Sequence, residues 1–343
     1  MTRWSIIADQ EPLPPLAVAL GDPSGIGPEI IAKAWQQRDQ RGLPCFFAVG
    51  DIRSIEAVWS GPVTRISTPD EASRIFDNAL PIIQVDDPGE IIPGKPNLAG
   101  ARSALDSLEL AVGLARSGAV GALVTGPVAK AELYAIGFPH PGQTEFVAER
   151  CGIARENVAM LMAGPSLKTV PVTIHERLRD VPALLTTDLI VSRARTTWRG
   201  LRRNFGIVNP RIAVAGLNPH AGESGAFGQE ETEIILPAIE LLRAEDIDAS
   251  GPYSADTLFD EHNRSAYDVA LCMYHDQALI PLKTLHFDSG VNMTLGLPII
   301  RASPDHGTAF ALAGQDRARP DAMIAAISLA ASCAGHRRDN PDL

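Results

Sequence analysis

Three histidines each close an apolar run: His175 in VPVTIHERL, His220 in IAVAGLNPHAGE and His275 in VALCMYHDQAL. Such a run reads as a buried strand, so each imidazole falls where a strand stops and its loop begins. In open α/β sheets the carboxyl ends of strands are where ligands bind. Imidazole is the commonest metal-ligating side chain, and three protein ligands with one open position make a catalytic metal site. One histidine of this kind is ordinarily a capping or hydrogen-bonding loop residue. Three at equivalent strand ends predict a held divalent cation. His140, His262, His286, His306 and His336 close no such run and are not read as ligands.

Further residues could hold a charged substrate. Lys130 opens a helix after LVTGPVA, and in HPGQTEFVAER the pair Gln143 and Thr144 offers neutral hydrogen-bonding groups at a helix start, followed by the acid Glu145. Thr144 reads as an N-cap or near-cap residue. Asp276 and Lys283 follow His275 in MYHDQALIPLK, and NMTLGLPIIRASPDHGTAF carries Asn292, Arg301, Asp305, His306 and Thr308. Arg301 is suited to clamp an anion through paired N–H groups. GDPSGIGPEI at 21–30 reads as a strand–turn–helix unit, with Pro28 and Glu29 in the first helical turn. That arrangement can receive an anion, although its spacing matches neither the dinucleotide fingerprint nor the P-loop.

The elements that must position these groups alternate along the chain. Candidate strands are 16–20, 45–50, 121–126, 158–164, 167–174, 211–217, 268–274 and 290–296; candidate helices are 28–37, 101–118, 186–206, 229–245 and 320–334. The alternation predicts an α/β fold with mostly parallel sheets, and the continuous apolar runs predict strands covered on both faces. Patches 87–98 (DDPGEIIPGKPN) and 137–142 (GFPHPG) read as loops, the second a candidate hinge, and the polar tail HRRDNPDL reads as frayed.

At 343 residues, 45% of them hydrophobic, the chain is long for one core and suggests two lobes. A net charge of −11 with no basic block argues against nucleic acid or an anionic membrane as partner. No apolar run approaches a membrane span, and the start MTRWSIIADQEPLPP lacks the apolar block of a signal peptide. The cysteines Cys45, Cys151, Cys272 and Cys333 form no CxxC pair, which fits a reducing cytoplasmic setting.

GDPSGIGPEI, TGPVAKAEL, GQTEF, LNPHAGE, GPYSADTLF, YHDQALIPLK and VNMTLGLPIIRASPDHGTA, in that order across residues 16–312, together resemble the 4-hydroxythreonine-4-phosphate dehydrogenase family. More distantly, GIGPE and HGTA resemble the isocitrate and isopropylmalate dehydrogenases. The resemblance implies a two-lobed subunit of that fold, with residues 1–140 plus 305–343 as the cofactor lobe and 141–304 as the metal, substrate and dimer lobe. It implies a homodimer whose site lies in the interlobe cleft and is completed by the second subunit. It implies NAD or NADP and a divalent metal (zinc, magnesium or cobalt) as cofactors. His175, His220 and His275 match the family's metal ligands, one of them supplied across the dimer. Gln143, Thr144, Lys283, Asn292 and Arg301 match its substrate-binding positions. The segment Asp305, His306, Gly307 and Thr308 is assigned to the cofactor by analogy.

The implied reaction is oxidation of a small phosphorylated amino acid, 4-phosphooxy-L-threonine, at its C3 hydroxyl. The product is a β-keto acid, so decarboxylation to 3-amino-2-oxopropyl phosphate follows, within pyridoxine 5'-phosphate biosynthesis. Asp256 and Asp276 are the candidate bases, each equally suited to orient a histidine. One departure stands out: Gln143 occupies the place of histidine in the family's GHTEF. An amide cannot add charge, so another hydroxy acid of the family's range, a sugar acid phosphate or a cyclic dihydrodiol dicarboxylate, stays open as substrate. A metal-dependent lyase or hydrolase without nicotinamide and a non-catalytic binding protein are the competing classes.

Overall fold

The computed structural model describes residues 13–86 and 89–342. The signal-peptide reading of the amino terminus rests largely on residues 1–12, which lie outside the described residues, as do 87 and 88 of the first Pro/Gly-rich patch. Twelve strands are described: β1 Leu16–Ala19, β2 Phe46–Gly50, β3 Val63–Arg65, β4 Leu80–Gln84, β5 Leu123–Thr125, β6 Ala159–Ala163, β7 Lys168–Pro171, β8 Ile212–Ala215, β9 Ala249–Tyr253, β10 Val269–Cys272, β11 Val291–Leu295 and β12 Arg301–Pro304. The chain divides into two compact units, Met1–Gly152 with Leu297–Gly335 and Ile153–Gly296 with His336–Leu343.

In the first unit the strand order is β3-β4-β2-β1-β5-β12, and every described pairing is parallel. β1 and β2 are buried at every position, as a parallel sheet covered by helices on both faces requires. The helix Gly27–Gln36 has Pro28 in its first turn, where a missing N–H costs nothing. The helix Leu98–Arg116 is capped by Asn97, whose Oδ1 accepts from the Gly100 N–H at 2.7 Å.

In the second unit the order is β11-β6-β7-β10-β8-β9. β7, β10, β8 and β9 run parallel, while β6 is antiparallel to both its neighbours. A short turn joins β6 to β7, and a connection that short permits only antiparallel pairing. A core cluster including Met162, Ala213, Cys272 and Leu282 packs this sheet against the helix His275–His286.

All eight sequence-predicted strands are present. Four were not anticipated: β3, β4, β9 and β12. β9 (ASGPY) and β12 (RASP) carry the Gly, Pro and Ser of loop composition, so neighbours rather than propensity make them strands. The predicted helix 229–245 opens as a wide turn, Glu231–Ile235, before the regular helix Leu236–Ala244. Pro237 has no N–H to give the preceding turn. The tail also differs from expectation. Helix Asp321–Asp339 runs through the first half of the stretch read as frayed, and Arg337 Nε donates to Asn204 Oδ1 at 2.7 Å.

Candidate active site

β7, β10 and β8 are adjacent and parallel, so the loops carrying His175, His275 and His220 leave the same edge of the sheet. The His175 and His275 rings stand 5.7 Å apart between centroids, tilted by 40°. They line a cavity of about 280 Å³ together with Thr173, Glu176, Tyr274 and Asp276. Its floor is tied across strands: Thr173 Oγ1 donates to the Met273 carbonyl at 2.8 Å.

His275 opens the helix His275–His286, and its Nδ1 lies 2.7 Å from Asp276 Oδ1. A carboxylate only accepts, so Nδ1 carries the hydrogen of this contact. This is the carboxylate–histidine arrangement that fixes a ligand's tautomer. Two imidazole rings side by side, one oriented by a carboxylate, fit the donor chemistry of a divalent cation. Among the described residues no group of three His, Cys, Asp or Glu side chains gathers into a metal site. Within one chain the pair is as far as the trio goes.

His220 rides on an unusual loop. His220, Ala221, Gly222, Glu223 and Ser224 all have φ between 43° and 79°. Left-handed backbone costs an L-residue about 1–2 kcal/mol, so four non-glycine residues among five consecutive left-handed positions require strong support. Asp256 lies on the short helix Ala255–Leu258. The Ser254 hydroxyl donates to Asp256 Oδ1 and holds its carboxyl below the usual range, with the charge of His220 a lesser influence. Lys283 sits eight residues beyond His275 on the same helix and is half-buried. Asn292, on β11, has a buried Oδ1 with no hydrogen-bond partner among the described residues.

A second constellation lies in the first unit. Arg301, at the start of β12, is only 4% exposed. Burial pushes its guanidinium down to about 10, with Glu145 opposing, so it stays charged at neutral pH. Its Nη2 donates to Thr125 Oγ1 at 2.7 Å and to Gln143 Oε1 at 2.9 Å. Gln143 Nε2 donates in turn to the Gly126 carbonyl at 3.0 Å. Gln143 and Thr144 are the first two residues of the helix Gln143–Arg150, whose N-cap is Gly142. Thr144 is therefore inside the helix rather than its cap.

The Gly-rich turn and the HGT segment meet. The Ile26 N–H donates to the Thr308 carbonyl at 3.0 Å, and a Cβ on Gly25 would lie 3.1 Å from both Thr308 Cβ and its carbonyl oxygen. His306 Nδ1 lies 3.1 Å from the Gly307 carbonyl, and the space beside Gly307 is open. Asp305, of the same segment, is half-buried. Within the turn, Asp22 is 2% exposed. Burial pushes its carboxyl up to about 6 against the favourable Ser24 N–H, and Glu132 adds repulsion. Ser24 Oγ is buried without a partner among the described residues.

Sequence reasoning missed several of these groups. Gln277 links two ligand loops: its Oε1 accepts from Met273 N–H and its Nε2 donates to the Gly216 carbonyl, both at 2.7 Å. Thr125 and Asp22 stood inside quoted motifs without a role. Glu231 lies inside the predicted helix 229–245 and was given no role there. Buried polar residues at strand ends were the available signal.

The model of the pyridoxal phosphate biosynthetic protein PdxA family matches residues 44–330. The chain is 59% identical over 324 residues to the 4-hydroxythreonine-4-phosphate dehydrogenase of Zymomonas mobilis, covering 94% of this chain and 97% of that one. The crystal structure of the Klebsiella pneumoniae 4-hydroxythreonine-4-phosphate dehydrogenase superposes with a TM-score of 0.84 at 37% identity, covering 93% of this chain and 99% of that one. A terephthalate 1,2-cis-dihydrodiol dehydrogenase from Burkholderia xenovorans is more distant, with a TM-score of 0.65 at 30% identity over 94% and 98% of the two chains. A match of this extent leaves one conclusion: the chain belongs to the PdxA family, that of the 4-hydroxythreonine-4-phosphate dehydrogenases.

Proposed function

We propose that this chain oxidises 4-phosphooxy-L-threonine at its C3 hydroxyl, with NAD or NADP as hydride acceptor and a divalent cation bound. Loss of CO2 from the resulting β-keto acid gives 3-amino-2-oxopropyl phosphate, a step of pyridoxine 5'-phosphate biosynthesis. The observation that carries this reading is the near full-length similarity to the Zymomonas mobilis enzyme of that name. We place the reaction in the cytoplasm; four cysteines outside any disulfide among the described residues support a reducing compartment.

His175 and His275 hold the cation from one chain, and His220 of a second copy supplies the third nitrogen. This is why the active form is a homodimer. A cation held there lowers the pKa of the substrate alcohol and stabilises negative charge on its oxygen. Imidazole donors suit zinc better than magnesium. Asp276 fixes the His275 tautomer, which leaves Asp256 to accept the hydroxyl proton. Lys283 and Arg301 neutralise phosphate and carboxylate charge. Gln143, Thr144 and Asn292 add hydrogen bonds, and the buried Oδ1 of Asn292 supports a ligand contact. Asp305, His306, Gly307 and Thr308 line the cofactor, supported by the open space beside Gly307.

The test is NADH formation by the purified enzyme with 4-phosphooxy-L-threonine, a phosphorylated sugar acid and a cis-dihydrodiol dicarboxylate, each with and without a chelator. Turnover of the first compound that chelation abolishes supports the proposal. Turnover of the dihydrodiol alone would move the assignment toward the Burkholderia-type activity. Substrate consumption without NADH would point to a lyase or hydrolase.

A further inference from the structure

The left-handed turn bearing His220 is built around one carboxylate. Glu231 is 3% exposed, and its Oε1 accepts from the backbone N–H groups of Leu217 at 2.8 Å and Asn218 at 2.7 Å. Its Oε2 accepts from Asn218 Nδ2 at 3.0 Å. The loop closes down on it: a Cβ on Gly222 would sit 2.7 Å from Oε2, and one on Gly216 3.2 Å from Oε1. The turn thus begins with two N–H groups pulled to one oxygen, and the Ala221 N–H then closes onto the Asn218 carbonyl at 3.1 Å. The Gly216 carbonyl is in turn held by Gln277, two residues from His275.

We propose that Glu231 is a positioning residue for His220: its carboxylate sets the left-handed turn and so aims the imidazole. The inference rests on the reading of His220 as a cation ligand. Three donors converge on the carboxylate, and an amide of the same shape cannot serve them all. In Glu231→Gln the oxygen keeps the two backbone N–H groups, while the new NH2 faces the Asn218 NH2, donor against donor. The segment loosens without leaving a cavity.

The experiment titrates Zn2+ into the chelator-stripped full-length enzyme by calorimetry, for wild type, E231Q, H220A and the double variant. Hydrogen exchange of residues 216–225 is followed in the stripped proteins. Outer-shell partners of metal ligands are worth roughly 10–100-fold in affinity. E231Q is therefore expected to weaken Zn2+ by that factor and to speed exchange across the loop before any metal is added. It is expected to change nothing further in the H220A background. Wild-type affinity in E231Q overturns the proposal, as does a loss that adds in full to that of H220A. H220A with wild-type affinity overturns the underlying ligand assignment and this inference with it, whereas a loss in H220A alone overturns only the positioning role. If E231Q does not fold, N218A serves, since it removes the donor to Glu231 Oε2 and leaves both backbone N–H groups in place; the same Nδ2 donates to Glu230 Oε2 at 2.8 Å, so E230A run alongside accounts for that bond. A severalfold loss of affinity in N218A supports the proposal and an unchanged affinity overturns it.

Discussion

Arg301 and Gln143 are locked to each other. Both hydrogens of Arg301 Nη2 are engaged, one by Gln143 Oε1 and one by Thr125 Oγ1. The amide is held from its other end by the Gly126 carbonyl, so it cannot flip without setting donor against donor. A neutral side chain that adds no charge to the site nonetheless fixes the orientation of a buried cation. Gln143→Leu keeps the size and removes the acceptor. A hydrogen bond to a charged group contributes about 1.5–3 kcal/mol, so Q143L is expected to raise KM for the anionic substrate roughly 10–100-fold with a much smaller change in kcat. R301A is expected to exceed that, while KM for NAD stays near wild type in both. Steady-state kinetics check it, and a normal substrate KM in R301A would show that the guanidinium does not meet the substrate.

Asp22 makes stability depend on pH. Its carboxyl titrates near 3.8 in the unfolded chain and near 6 in the folded one. Between those values the folded chain binds a proton that the unfolded chain has released, so stability from this group falls as pH rises through the window. Above about 6 the full cost stands, about 3 kcal/mol at 1.4 kcal/mol per tenfold. Asp22→Asn abolishes the ionisation and keeps a carbonyl oxygen for the Ser24 N–H. D22N is expected to melt several degrees higher than wild type at pH 8 and at the same temperature at pH 4. Differential scanning fluorimetry at both pH values decides it; an equal gain at pH 4 would mean that ionisation is not the cause.

The histidine strand ends were legible because parallel strands under helices must be apolar throughout, and an imidazole that ends such a run marks the sheet edge. β7, β8 and β10 were readable for that reason, and so was the meeting of their loops. β12 was not. RASP looks like a loop, and only its pairing with β5 buries Arg301. That burial makes the arginine a cation fixed inside the unit. Glu231 was also illegible: an acid in a helix's first turn is ordinary, and nothing in the spacing shows that it faces backward onto a left-handed loop. The orienting role of Asp276 was one of two open readings, and the 2.7 Å contact with His275 favours it.

That contact separates two roles for Asp276. If the carboxylate orients His275, Asp276→Ala is expected to lower Zn2+ affinity roughly 10–100-fold, and D276N to stay closer to wild type because its carbonyl still accepts from Nδ1. If Asp276 instead takes the substrate proton, both variants lose kcat and keep their Zn2+ affinity. Calorimetric Zn2+ titration alongside kcat measures the difference. H175A and H275A are expected to lose tight Zn2+ binding outright, with secondary structure by circular dichroism unchanged.

Gly25 offers a test of the cofactor segment that leaves the metal and the substrate arginine alone. Its φ is not in the left-handed region, so an alanine there is not strained by its own backbone. The new Cβ meets only what faces it: Thr308 Cβ and the Thr308 carbonyl at 3.1 Å, with the Asp22 carbonyl at 3.4 Å. The contact is too tight to leave Thr308 in place, and the Ile26 N–H bond to its carbonyl is the first to lengthen. G25A is therefore expected to raise KM for NAD roughly tenfold, the scale of a binding group displaced by a fraction of an ångström, with substrate KM and Zn2+ affinity unchanged. Gly113 supplies the control. It lies in the helix Leu98–Arg116, and a Cβ there meets nothing within 4 Å. G113A should be kinetically silent and slightly more stable, by about 0.5–1 kcal/mol of helix propensity. If G25A instead leaves KM for NAD unchanged while substrate KM rises, the 305–308 segment belongs to the substrate rather than the cofactor.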